Sequence, residues 1–191
     1  MANHRPRRHD GTTLIEVLVT MVILAFGLLG LAAFQSKVQI GSLESYQRAQ
    51  AVILLADMQA RMNGNYVNAG SYVGATYGAG DTVTSCAGVA AGGARDRCEW
   101  SLALLGGSEK GTDASNLGAM TGARGCVTQI QARVSNPGVS CVRGIYLVSV
   151  AWQGLHATIP PSPVCGKGQY GEDTMRRVIT ARVVAGTPEC F

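Results

Sequence analysis

One carboxylate, Glu16, stands near the start of an otherwise apolar run, GTTLIEVLVTMVILAFGLLGLAAF, at residues 11–34. A charge inside such a run is costly in lipid, and where it is tolerated it has an assigned partner. Three readings compete for this segment. The run is a secretory leader cleaved after a small-x-small site such as Gly30-Leu31-Ala32, or it is a permanent single-pass anchor, and neither gives Glu16 a partner. In the third, the peptide bond between Gly11 and Thr12 is cut, and the new α-amino group of Thr12 lies within about one helical turn of Glu16. The carboxylate then complements the positive end of the helix dipole. When such helices stack with an axial offset, the carboxylate of one meets the terminal amine of the next. Two charges that are each expensive in an apolar medium then neutralise one another, which rewards one register over others.

Other residue types that do chemistry are sparse. The histidines are His4, His9 and His156, too few and too scattered for a nucleophile, base and orienting acid. His156 follows a strand end and reads as an ordinary surface or loop residue. Gly74-x-x-x-Gly78-x-Gly80 lacks the lysine and the strand-to-helix frame of a phosphate loop and reads as flexible coil. No paired His/Cys spacing or oxygen-rich calcium loop is present, so neither a metal nor another cofactor is expected, and the chain reads as non-enzymatic. Cys86, Cys98, Cys126, Cys141, Cys165 and Cys190 are even in number, widely spaced and free of C-x-x-C, which fits an oxidising compartment and up to three disulfides of undetermined pairing. The arginines Arg95, Arg97, Arg124, Arg133, Arg143, Arg176, Arg177 and Arg182 could form a basic stripe for DNA. A solvated face paired with Asp96, Glu99, Glu172 and Asp173 is the stronger reading.

The elements that must position these residues follow from patterning. With 191 residues, 47% hydrophobic, the chain has room for one modest core. Three basic residues, Arg5, Arg7 and Arg8, precede the apolar run with Asp10; beyond residue 11 the balance is 13 basic against 11 acidic, so no global charge points to nucleic acid. Basic residues ahead of the run hold that end on the cytoplasmic side. Residues 12–34 are long enough to cross a bilayer at about 1.5 Å per residue. Helix formers continue without proline, and the pattern predicts one helix over about 12–62, with Gly41 as a soft point. Leu43, Tyr46, Ala49, Ile53, Ala56 and Ala60 mark an apolar face, and Glu44–Arg48 and Asp57–Arg61 are i,i+4 pairs.

Asn63-Gly64-Asn65 ends the helix. Residues 66–94 read as irregular, held at Cys86 and Cys98. Asp96-Arg97-Cys98-Glu99 resembles a capping box opening a short helix that carries Trp100, Leu102, Leu104 and Leu105, closed by Gly106-Gly107. Three strands follow: CVTQIQARV, with Ile130, Ala132 and Val134 on one face; GIYLVSVAWQ, with Tyr146, Val148, Val150 and Trp152 in a row; and RRVITARVV. Asn136-Pro137-Gly138 predicts an antiparallel turn between the first two.

The junction Gly11-Thr12-Thr13-Leu14-Ile15-Glu16, with its basic leader and the following EVLVTMVILAFGLLGLAAFQ, resembles the class III leader junction of type IV pilins and type II secretion pseudopilins, and among them the minor pilins. The resemblance implies an α+β pilin fold: a long N-terminal helix, transmembrane in its first half, packed against a small antiparallel sheet in a disulfide-containing head. It implies a leader at 1–11, a transmembrane and assembly half at 12–34, a periplasmic half at 35–62 and a head at 63–191. Cleavage by a prepilin peptidase at Gly11/Thr12, N-methylation of Thr12 and assembly through Glu16 are also implied. The family has Phe where this chain has Thr12, and often a helix-kinking proline that is missing here, which leaves Gly27 and Gly30 as the places for helix melting. Cys165 and Cys190 resemble the disulfide-bounded loop near the C-terminus of many pilins.

Implied partners are other minor pilins and the major pilin, the peptidase, the inner-membrane assembly machinery and the inner membrane. The implied role is to start or remodel a pilus in support of twitching motility and adhesion. A type II secretion pseudopilin, a single-pass periplasmic protein binding a ligand with its Gly/Tyr-rich segment, and a soluble protein released near Ala32 are the alternatives.

Overall fold

The computed structural model describes residue 11 and residues 13–107, 120–136 and 140–186. The chain divides into two units, Met1–Leu43 and Glu44–Phe191. Helix α1 spans Leu14–Gly64, 51 residues, or roughly 75 Å of axis. Its early residues, from Leu14 to Phe34, leave every large apolar side chain exposed. It is the one described helix long and apolar enough to cross a membrane.

In the second unit a four-stranded antiparallel sheet has the order β1-β2-β5-β6, built from β1 (Gly74–Gly78), β2 (Arg124–Gln131), β5 (Gly144–Gln153) and β6 (Arg176–Ala185). Two short strands, β3 (Val134–Asn136) and β4 (Ser140–Val142), form a separate small hairpin, and helix α2 spans Gly93–Leu104. The long helix, the small antiparallel sheet and two disulfides make an α+β pilin-like fold.

The core lies between one face of α1 and one face of the sheet. Ala51, Leu55, Met58 and Met62, spaced four, three and four apart, stack on the expected β5 row of Tyr146, Val148, Val150 and Trp152. Helix α2 adds Trp100 and Leu104. Trp100 is fully buried, donates its indole N–H to the Leu54 carbonyl at 2.8 Å and meets Tyr77 edge-on at 5.2 Å. Its ring lies against the backbone of Gly125, where any Cβ would collide with it.

The structure corrects several expectations. The α1 face predicted to be buried is not the one used: Leu43, Tyr46 and Ile53 are exposed, as are Ala49, Ala56 and Ala60. The helix is apolar on two sides, and spacing alone does not say which side the sheet covers. Glu44 does not serve Arg48. Its Oε1 accepts from Arg177 Nη2 at 3.1 Å and the Leu155 amide at 3.0 Å, and lies 3.0 Å from His156 Nδ1. His156 is thus part of a cluster that ties α1 to the loop after β5.

The segment read as irregular contains β1, so the Gly74–Gly78 stretch is strand instead of coil. It is too short to show alternation, and its place comes from pairing with β2, Gly74 opposite Val127. Helix α2 begins at Gly93, with Gly92 in the cap position, so Asp96 lies in its first turn and does not cap it. Of the predicted first strand, Val127 is buried in the core, while Ile130 is exposed and Val134, which falls in β3, is exposed too. A register shift between Gln129 and Gln131 breaks the expected alternation. Of the predicted turn, Pro137 and Gly138 lie outside the described residues, and the chain around them pairs β3 with β4.

Two disulfides are defined. Cys86–Cys98 ties the segment before α2 to that helix, and Cys126–Cys165 ties β2 to the loop between β5 and β6. The second overturns a Cys165–Cys190 bond: Cys126 in the sheet lies beneath the loop and takes Cys165. Cys190 and the Cys141 side chain lie outside what is described.

Candidate functional site

At the N-terminal junction, Gly11 is exposed coil, and Thr12 lies outside the described residues. The Thr13 carbonyl accepts the Glu16 N–H at 3.0 Å and the Val17 N–H at 3.3 Å, which opens α1 at Leu14. Glu16 therefore sits in the first turn, beside backbone N–H groups that have no partner within the helix. Thr20, the other polar side chain of the early helix, donates to the Val17 carbonyl at 2.8 Å and needs no outside partner. Glu16 is left as the one charge of this segment. Gly27 and Gly30, further along, are helical with open space where a Cβ would stand.

The later part of α1 is held by side chains that sequence alone did not bring together. Arg61 takes the expected Asp57 at 3.0 Å, and its Nη1 also reaches Glu99 Oε2 at 2.7 Å and Asp96 Oδ1 at 3.3 Å in α2. These carboxylates were expected to pair with arginines of the head. Tyr72 donates its hydroxyl to Asp96 Oδ2 and accepts from Asn65 Nδ2 at 3.1 Å. Burial, with the neighbouring Asp96, pushes the Tyr72 phenol up to about 12.

The basic stripe is divided by the fold. Arg176, only 1% exposed, uses every donor of its guanidinium. Nε and Nη2 hold both oxygens of Asp173 at 2.6 and 2.9 Å. Nη2 also reaches the Pro161 carbonyl at 2.9 Å, and Nη1 reaches those of Cys165 at 3.0 Å and Pro163. This hydrogen bonding holds the Asp173 carboxyl below its ordinary value. Arg177 goes to Glu44. An arginine next to the acidic pair Glu172-Asp173 reads in sequence as a solvated charge; the signal of its burial is the Pro160-Pro161-Ser162-Pro163 loop, whose carbonyls need donors. Among the described residues no group of three His, Cys, Asp or Glu side chains is placed to hold a metal.

The fold and junction together define a class: a chain with a pilin-like fold and an apolar N-terminal helix carrying one acidic residue in its first turn. Residues 6–32 match the family model described as the prokaryotic N-terminal methylation motif. The matched span includes Gly11, Thr12, Glu16, Gly27 and Gly30 and stops short of the head. No curated protein and no solved structure matches the chain. The motif supports a type IV pilin or pseudopilin, a structural subunit instead of an enzyme. It implies processing by a prepilin peptidase and assembly with other pilins, and with the apolar helix it fits a membrane-anchored protein.

Proposed function

We propose that this chain is a minor pilin of the kind called type IV pilus modification protein PilV, which helps initiate or remodel a type IV pilus from a tip or priming complex. In this reading the leader 1–11 is removed, Thr12 carries the new and methylated amine, and 12–34 anchors the subunit in the inner membrane until it enters the filament. The observation that carries it is α1 itself. The junction motif is followed by an apolar segment with no buried side chain. In the second unit, Tyr46, Ala49, Ile53, Ala56 and Ala60 lie on roughly the opposite side of the helix from Ala51, Leu55, Met58 and Met62, at about 100° per residue. The second group covers the sheet. The first is left for neighbouring helices, which is what a subunit needs when its helix must pack inside a filament.

Surface pili sheared from cells and probed for this chain test the assignment. The chain is expected in the pilus fraction, and its recovery there falls to background when the major pilin is deleted. Recovery that persists without the major pilin, or that depends on a type II secretion system, supports the pseudopilin reading instead.

A further inference from the structure

The sheet face turned away from α1 carries its own built feature. On it Arg124, Cys126 and Thr128 of β2 stand opposite Ala151, Ser149 and Leu147 of β5. The loop between β5 and β6 crosses over this face and is held at three places. Cys165 is bonded to Cys126, Arg176 binds the carbonyls of Pro161, Pro163 and Cys165, and Tyr170 donates its hydroxyl to the Gly122 carbonyl at 2.9 Å. Between sheet and loop lies a cavity of ≈ 600 Å³, within the range of about 300–1,000 Å³ common for small-ligand sites. Walls fixed in advance lower the entropy lost on binding.

The lining is one-sided in charge. Arg124 and Lys167 both contribute to it, and among the described residues no acidic one does. Arg61, Arg176 and Arg177 all meet carboxylates, whereas among the described residues neither Arg124 nor Lys167 lies within ion-pair distance of one. The Arg124 guanidinium rests at the cavity edge against Gly80, where a Cβ would displace it. Thr128 and Gln169 add hydrogen-bonding groups, and Pro163 and Val164 an apolar wall. Among the described residues no aromatic side chain lines the cavity, so they offer nothing for nucleic-acid bases to stack on. Its floor is β2 and β5, the two inner strands of the sheet, whose backbone groups are already paired on both sides.

We propose that this cavity binds a carboxylate-bearing sugar, as a uronic-acid unit of an acidic glycan. The planar Arg124 fork takes the carboxylate in a bidentate pair, with Lys167 as a second positive charge. Thr128 and Gln169 serve the ring hydroxyls, and the C–H face of the ring lies on Pro163 and Val164.

Titration calorimetry on the full-length chain in detergent tests this, with digalacturonate as the probe and lactose, a sugar phosphate, a tri-glutamate peptide and single-stranded DNA as comparators. Digalacturonate is expected to bind and lactose to bind at least about tenfold more weakly, as is fitting for loss of a charge-assisted pair. Arg124→Ala weakens digalacturonate by about tenfold or more, Arg124→Lys restores only part of it, and Lys167→Ala and Val164→Asp each reduce it. Should Arg124→Ala disturb folding, seen by circular dichroism, the Lys167 and Val164 variants decide. No binding of digalacturonate, equal binding of lactose, a sugar phosphate, peptide or DNA that binds as well, or indifference to these substitutions overturns the proposal.

Discussion

Replacing Glu16 by alanine is expected to leave leader cleavage and the folded head intact while lowering the chain's recovery in sheared pili by tenfold or more. In the proposed reading the peptidase acts at the Gly11/Thr12 bond, on the other side of the junction from Glu16, and Glu16 is a member of neither cluster of buried core residues. What changes is the partner available to the new amine of a stacked neighbour. Removing one member of a buried ion pair leaves an uncompensated charge, at a cost of about 3–5 kcal/mol, and each ~1.4 kcal/mol is a factor of ten in an equilibrium. Glu16→Gln separates charge from hydrogen bonding, since it keeps the shape and loses the charge. It should resemble the alanine variant. Normal incorporation of both variants would mean that Glu16 has no part in assembly.

The second large effect is on the head. Arg176→Met is expected to lower its unfolding free energy by about 3–5 kcal/mol, because a buried guanidinium that satisfies a carboxylate and three carbonyls is replaced by a group that satisfies none. Guanidinium denaturation followed by the fluorescence of Trp100 and Trp152, both buried, reads the shift in midpoint. The pH dependence has a definite sign. The Asp173 carboxyl is held below its ordinary 3.8, chiefly by its hydrogen bonds to Arg176. Its contribution is present above 3.8 and is lost as the pH falls below that value through the lower folded one. The native head should lose this increment in acid, and the Arg176→Met head should not. Unchanged midpoints would show that the loop over the sheet does not depend on Arg176.

How much of this was legible in the sequence depended on whether a signal was local. The long helix was legible because one period runs through it without proline, and the β5 row because Tyr146, Val148, Val150 and Trp152 alternate without interruption. The burial of Ala51, Leu55, Met58 and Met62 was not legible, since Leu43, Tyr46 and Ile53 make an equally apolar face and only the position of the sheet decides between them. Strand β1 has no pattern of its own and exists because β2 offers it a partner. The Cys126–Cys165 bond joins residues 39 apart whose closeness depends on how the last loop crosses the sheet. Arg176 and the cavity share that cause: both are made where residues distant in the chain meet. At the junction the opposite holds, because Gly11, Thr12 and Glu16 lie within a few residues of one another and their order alone carries the reading.

The mass of the mature N-terminus, measured on protein extracted from membranes of cells with and without the prepilin peptidase, tests the stacking account at its root. A chain that begins at Thr12, one methyl group heavier and only when the peptidase is present, is the predicted result. A chain that keeps Met1, or begins at Ala33, leaves no amine beside Glu16 and contradicts it.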